Sequence, residues 1–106
     1  MLSLTLAARL RPKINRVYRL SVAPDLFGMV VVEARFGRHT GPAGSVWQQA
    51  CPTLEAALHV VRLLLLRRLT APRRLGVAYR LIEVDDPFGL CSDKNARIEA
   101  LIERLR

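Results

Sequence analysis

A chain of 106 residues, 51% hydrophobic and 25% charged, is long enough for one domain with one core, and its composition excludes an intrinsically disordered chain. Its formal net charge of +8 is uneven: residues 1–80 carry 13 basic and 3 acidic side chains, a net of +10, whereas residues 81–106 carry 4 basic and 6 acidic ones, a net of −2. This asymmetry favours an anionic partner for the first part. The alternative is a GC-rich genome that encodes arginine at ordinary surface positions, because 15 of the 17 basic residues are arginine.

Two strands are predicted in the first 24 residues. Ser3–Leu10 alternates, which indicates a strand with one buried face. The residues expected on that face are Leu4, Leu6, Ala8 and Leu10. Pro12 and Asn15 favour a turn, and Arg16–Ala23 follows as a second strand. Its inward residues are expected to be Tyr18, Leu20 and Val22, and its outward residues Arg19 and Ser21.

The third predicted strand, Met29–Phe36, is treated as the central one because it is rich in β-branched residues and contains no breaker. Its apolar face consists of Val30, Val32, Ala34 and Phe36. In the loop before it, Pro24–Gly28, the Leu26-Phe27 pair is expected to tuck under the sheet. After it, Phe36-Gly37-Arg38 is predicted to leave the strand, with Gly37 taking backbone angles that a Cβ would forbid.

A fourth strand, Ser45–Ala50, is predicted after a reversal at Gly41–Gly44. Short connections of this kind favour antiparallel neighbours. Four antiparallel strands before any helix favour an α+β layer over a doubly wound sheet.

One long helix is predicted to begin at Thr53, the expected N-cap, and to stop at Pro72. The stripe expected against the sheet consists of Leu54, Ala57, Leu58, Val61, Leu65 and Leu69. Its back is also apolar, at Val60, Leu63 and Leu66. A helix that is apolar on two sides is either buried on both or exposes a patch for a partner.

The C-terminal quarter is predicted to add one strand and one helix. Gly76–Glu83 alternates as a last strand at a sheet edge, and Ser92 is the expected cap of the terminal helix. The seam of that helix, Ile98, Leu101, Ile102 and Leu105, is expected to cover the back of the long helix, in the same chain or in a twin. The predicted fold is therefore α+β: an antiparallel sheet of four to five strands, one long helix across it and a short C-terminal helix. Residues 1–84 are expected to form the domain and residues 85–106 a helical extension.

Several segments in order resemble the WGR domain, a module named for a Trp-Gly-Arg motif. They are Asn15–Leu20, Leu26-Phe27-Gly28, Phe36-Gly37-Arg38 and Thr53–Ala57, and the resemblance covers Leu4 to Tyr79. Phe36 stands where the family has tryptophan, and the family's basic-Gly-Tyr ending is spread over Arg73–Tyr79. The family occurs in DNA-dependent poly(ADP-ribose) polymerases and in small bacterial proteins. The resemblance implies that the motif aromatic packs against the terminal nucleotide of a DNA break while nearby basic residues hold the backbone.

The arginines favour the same function, because their planar forks bind phosphate bidentately. The chain is therefore expected to be a non-catalytic module that binds DNA ends or backbone. The expected nucleic-acid-binding residues are Arg16, Arg19, Arg35, Phe36, Gly37, Arg38, Arg67, Arg68, Arg73 and Arg74. Phe36 is expected either to stack on a base or to pack in the core, and Trp47 is a second candidate stacking platform.

The alternative is a protein-interaction or regulatory module, or a homodimer, that uses the apolar back of the long helix or the C-terminal seam. No catalytic constellation is present, because His39 and His59 are solitary and no glycine loop precedes a helix, so neither enzyme activity nor a cofactor or metal is expected. Cys51 and Cys91 are expected to be free thiols. Residues 2–8 are too short an apolar run for a membrane span, so a cytoplasmic protein is expected.

Overall fold

The described part of the chain folds into an antiparallel sheet of five strands with three α-helices, one long and two short. The computed structural model describes residues 1–10, 14–38 and 44–106, with the side chains of Ile14, Arg74 and Leu75 left out of the description. The strands are β1 (Leu2–Leu10), β2 (Ile14–Pro24), β3 (Val30–Arg38), β4 (Ser45–Cys51) and β5 (Arg80–Asp85). The helices are α1 (Leu54–Leu69), α2 (Pro72–Leu75) and α3 (Glu99–Leu105), with a 3₁₀ turn at Leu90–Ser92.

The sheet order is β4-β3-β2-β1-β5, so the predicted α+β architecture is confirmed. β2 is the central strand, not β3, because β1 and β3 pair with its two sides. β5 returns to pair with β1 at one edge, and β4 forms the other edge. The predicted last strand begins late, at Arg80, while Tyr79 before it is buried.

The core lies between one face of the sheet and α1. Alternation places the predicted side chains of β1, β2 and β3 on this face. They are buried as far as Ala8 in β1 and at Val32 and Ala34 in β3, while Val30 is partly buried. α1 starts where the sequence predicts, because the Thr53 hydroxyl accepts a hydrogen bond from the Ala56 N–H at 3.1 Å. Its stripe is buried against the sheet at Ala57, Leu58, Val61 and Leu65.

Two predictions at strand ends are wrong. Leu10 is half exposed, because it lies at the end of β1 outside the buried core. Phe36-Gly37-Arg38 does not leave the strand: β3 continues to Arg38, which pairs opposite Arg16 on β2.

The loop between β2 and β3 also differs from the prediction. Leu26 is 97% exposed and Phe27 88% exposed, so neither lies under the sheet. Asp25 closes the reversal tightly: its carboxylate accepts from the Phe27 and Met29 N–H groups at 2.8 and 2.9 Å, and its own N–H donates to the Met29 carbonyl. This short turn holds the two apolar side chains beyond the strand ends.

The C-terminal segment joins the same core. The seam residues Ile98, Leu101, Ile102 and Leu105 are all buried within this chain. Ser92, however, ends the 3₁₀ turn and caps no helix, and α3 begins only at Glu99. Asp93 accepts from the Asn95 N–H at 2.9 Å, and Arg97 has a φ of 56°, so the backbone between them is not helical.

The back of α1 is less exposed than the sequence alone would allow. Val60 and Leu66 pack against the core as partly buried side chains, and only Leu63 of the three is half exposed. Both cysteines are buried free thiols. Among the described residues, no helix has the length and apolar character needed to cross a membrane.

Candidate nucleic-acid interface

Phe36 lies on the helix side of the sheet and stacks on Tyr18 of the neighbouring strand. The two residues are directly opposite in the register, and their ring centroids are 6.1 Å apart with the ring planes 20° from parallel. Tyr18 is buried, whereas Phe36 is 39% exposed. One face of Phe36 therefore has an aromatic neighbour, while part of the ring stays open to solvent.

Arg68, near the C-terminal end of α1, lies over the rings of Tyr18 and Tyr79. Its guanidinium carbon lies 4.6 Å from the Tyr18 ring centroid and 5.5 Å from that of Tyr79, which meets Tyr18 edge to face. The Nε atom of Arg68 is buried and makes no hydrogen bond to the described residues, while its guanidinium lies within cation–π distance of both rings. Burial raises the pKa of Tyr18, and the nearby Arg68 charge opposes that rise.

Arg16 and Arg38 lie directly opposite each other on β2 and β3, next to the Tyr18–Phe36 pair. They are two residues along from Tyr18 and Phe36, so they lie on the same side of the sheet. Both side chains are exposed, and neither forms an ion pair with a described residue. Like charges directly opposite in a sheet destabilise the pairing.

Arg19 and Arg35 form a second opposed pair, but on the other side of the sheet. They pair in the register at odd spacing from Tyr18 and Phe36, so they face away from α1. Arg35 is partly neutralised, because its Nε donates to Glu33 at 3.2 Å. Gln48 also donates to Glu33 at 2.8 Å, and these hydrogen bonds, that from Gln48 first, lower the pKa of the Glu33 carboxyl.

The sequence predicts that Gly37 takes unusual backbone angles, and this prediction is wrong. Glycine is needed at this position because a neighbouring backbone leaves no room for a side chain. It is an extended residue of β3, and a Cβ there would lie 2.9 Å from the Gly44 Cα. A Cβ on Gly44 would in turn overlap the Phe36 carbonyl oxygen. The two backbones therefore touch directly beside the motif.

The remaining predicted arginines lie at the end of α1. Arg67 is exposed, and its carbonyl accepts from the Thr70 hydroxyl at 2.8 Å. Arg73 is exposed on α2, and the side chain of Arg74 is outside the description. Because Arg68 contacts Tyr18, this end of α1 meets the same end of the sheet as Arg16 and Arg38.

We call the group on this side the helix-side patch. It consists of Arg16, Tyr18, Phe36, Arg38, Trp47 and Arg68. Trp47 belongs to it because it pairs opposite Ala34, diagonally across from Phe36 on the same side, and it is 38% exposed. The predicted Gly41–Gly44 reversal and His39 lie outside the described residues except for Gly44.

Sequence reasoning missed two members of the aromatic group. Tyr18 was expected only as a core residue, and Tyr79 only as a strand residue. The sequence does contain a sign of their role. Tyr18 lies on the same side of β2 as Arg16, and Arg68 lies near the helix end that returns to this sheet. What could not be read from spacing was that one arginine of α1 would cover both rings.

A cleft outside the helix-side patch is less suited to an anionic partner. A cleft of about 760 Å³ lies between the first turns of α1 and residues 93–97. Its charged lining is balanced, with Arg62 and Arg97 against Glu55 and Asp93. No ligand class is selected by that balance.

Comparison with known proteins finds no protein-family model that matches the chain and no curated protein that matches it.

Proposed function

We propose that the chain is a non-catalytic module that binds DNA through the helix-side patch. The observation that carries the proposal is the position of the Arg16–Arg38 pair beside the half-open ring of Phe36. Guanidinium groups of this kind hold phosphates, and an exposed aromatic ring offers a stacking surface for a base.

The unfavourable repulsion between Arg16 and Arg38 supports this proposal. Two arginines directly opposite in a sheet repel each other, and Arg16 and Arg38 make no ion pair with described residues that would offset the repulsion. A phosphate bound between them would turn that repulsion into two attractions. The tail carboxylates do not interfere, because the two described ion pairs, Arg35–Glu33 and Arg106–Glu103, involve neither arginine.

The aromatic arrangement supports an end or a single-stranded junction as the preferred DNA feature. Phe36 is stacked on Tyr18, and Arg68 lies over that tyrosine ring, so the platform that supports Phe36 is in place without a ligand. A base stacked inside a continuous duplex has no free face for such a ring, whereas a terminal base does. The resemblance to the WGR domain implies the same mode of contact.

The alternative proposal, a protein-interaction module that uses the back of α1, has less support. Of the residues on that back, Val60 and Leu66 are partly buried, and only Leu63 is half exposed. The C-terminal seam, the other apolar surface, is buried in the chain's own core. Neither surface offers a broad apolar patch of the kind that marks a protein-binding site.

A fluorescence titration with short duplex DNA at two salt concentrations tests the proposal. Trp47 is the chain's only tryptophan and lies in the helix-side patch, so its emission should change on binding. We expect affinity to fall steeply with salt, with a log–log slope near −0.9 for each phosphate neutralised. A matched titration with Phe36→Leu, which keeps bulk without the aromatic ring, should retain the slope but lose affinity for ends.

Two outcomes would contradict the proposal. One is the absence of binding at low salt. The other is binding whose salt slope is close to zero, because a partner held by apolar contacts is little screened.

A further inference from the structure

The edge strand β4 is open along its outer side. Within the described residues it pairs only with β3, and all residues from Ser45 to Ala50 are exposed. An unpaired edge presents a row of free N–H and C=O groups that can accept another strand. Natural sheets usually protect such an edge with charges, proline, a bulge or a covering segment.

β4 has none of the protections that lie within a strand. Ser45–Cys51 contains no charged residue and no proline, and its register with β3 runs without a shift over seven pairs. The opposite edge, β5, shows the contrast. It carries Arg80, Glu83 and Asp85, and its register with β1 shifts between Thr5 and Leu6. Of the two sheet edges that the described residues form, β4 is therefore the one open to pairing.

We propose that β4 pairs antiparallel with β4 of a second copy of the chain, around a twofold axis at Gln48. In this register Val46 of one copy lies opposite Ala50 of the other, and the two Gln48 residues face each other. An antiparallel pair requires facing residues to point to the same side of the joined sheet. This register satisfies that requirement, because facing residues are either both even-numbered or both odd-numbered and side chains alternate along a strand.

The composition of β4 selects a second copy as its occupant. The register matches apolar Val46 with apolar Ala50 on the side facing away from α1, and Trp47 with Gln49 on the helix side. Two chains that each carry a formal charge of +8 repel each other, and β4 adds no charged side chain to that repulsion. Gln48 keeps an amide to offer across the axis, although its Nε2 already donates to Glu33.

Pairing around this axis would leave the two helix-side patches on the same side of one ten-stranded sheet. The inference stands apart from the DNA proposal, because it rests on the backbone edge and not on the arginines. A strand pair of five residues on each side buries less than the ~1,600 Å² of a standard interface, so we expect a weak dimer with a Kd of roughly 10–100 µM.

Sedimentation equilibrium of the full chain over a range of about 5 to 500 µM tests the inference. The wild type should pass from monomer to dimer mass. Val46→Lys/Ala50→Lys should stay monomeric, because the introduced lysines face one another across the axis in both pairs. Val46→Glu/Ala50→Glu should do the same, and an equal mixture of the two variants should form heterodimers with at least the wild-type affinity.

The mixture also controls for folding, because a variant that fails to fold cannot regain the dimer. Ile82→Lys/Val84→Lys on β5 is the matched control for added charge at a sheet edge, and it should dimerise with a Kd within about twofold of wild type. A wild type that remains monomeric throughout the range would overturn the inference. So would lysine variants of β4 that dimerise like wild type, or a mixture that stays monomeric.

Discussion

Arg16 and Arg38 lie directly opposite each other on neighbouring strands, and neither makes an ion pair with a described residue. The pair lies next to Phe36, whose ring is stacked on Tyr18 and partly open to solvent. The repulsion between the two arginines destabilises the free protein. We expect the pairing to become favourable when an anion binds between them.

Removal of one member of the repulsive pair should stabilise the free protein. Arg38→Gln relieves the cross-strand repulsion, so we expect the free energy of unfolding to rise by about 0.3–0.5 kcal/mol at low salt and to change little at high salt. Urea denaturation at two ionic strengths measures this. The same variant should bind DNA more weakly. A loss of stability at low salt would show that Arg38 contributes to the fold.

Gly37→Ala should destabilise the fold even though Gly37 is an ordinary extended residue. The added Cβ would lie 2.9 Å from the Gly44 Cα, and a backbone atom cannot yield as a flexible side chain can. We expect a loss of about 1–3 kcal/mol, the usual range for overpacking. Ser45→Ala, next to Gly44 and exposed, is the matched control and should stay within about 0.5 kcal/mol of wild type in the same urea titration. Equal stability of Gly37→Ala and the control would contradict the close contact.

Asp86 should stabilise the C-terminal segment in a pH-dependent way. Its carboxylate accepts from the Leu90 and Cys91 N–H groups at 2.8 and 2.9 Å. Burial acts to raise the pKa of Asp86, but the hydrogen bonds outweigh it and the pKa is lowered in the folded chain. The stabilisation is therefore complete above the unfolded pKa near ~3.9 and is lost as the pH falls through the lower folded value.

Asp86→Ala should accordingly cost about 1–2 kcal/mol at neutral pH and progressively less below pH ~4. Denaturant titrations from neutral pH down to about pH 3 measure the difference between this variant and wild type. Asp85→Ala, exposed at the end of β5, is the matched control and should show no such trend. A difference that stays constant as the pH falls would exclude the carboxylate as its source.

Cys91 should react slowly with alkylating reagents in the folded protein. Burial, followed by the neighbouring Asp86 carboxylate, raises the pKa of the Cys91 thiol to about 12, and only the thiolate is the nucleophile. Asp86→Ala should lower that pKa and speed alkylation at pH 8 by several-fold. Peptide mapping after timed treatment with iodoacetamide follows Cys91 and Cys51 separately. A Cys91 labelling rate that matches that of the urea-unfolded chain would contradict the prediction.

Much of the fold could be predicted because the hydrophobic pattern is regular where one face of each element is buried. The alternation of β1 and β2 and the stripe of α1 reflect burial against one core, and the Thr53 cap follows from a local hydrogen bond. Two of the errors lie where a polar side chain determines the path of the backbone. Asp25 closes a turn that keeps Leu26 and Phe27 outside, and Asp86 organises the segment that delays the terminal helix.

The candidate site was predicted in part, for a similar reason. Arginine-rich segments were visible in the sequence, but which side of the sheet each arginine faces depends on strand register. Register places Arg16 and Arg38 on the helix side with Phe36, and Arg19 and Arg35 on the other side. Arg68 was expected at a helix end, whereas its position over two tyrosine rings depends on tertiary packing that spacing does not encode.

The division of the arginines between two sides of the sheet provides the most direct test of the central proposal. The measurement is a salt-dependent titration of one short duplex with Arg16→Ala/Arg38→Ala and, as a matched control, Arg19→Ala/Arg35→Ala. We predict that the helix-side variant loses at least about tenfold in affinity and that its log–log salt slope shrinks by about 2, while the control changes by less than about threefold. An equal loss in both variants, or no loss in the helix-side variant, would contradict DNA binding through the helix-side patch.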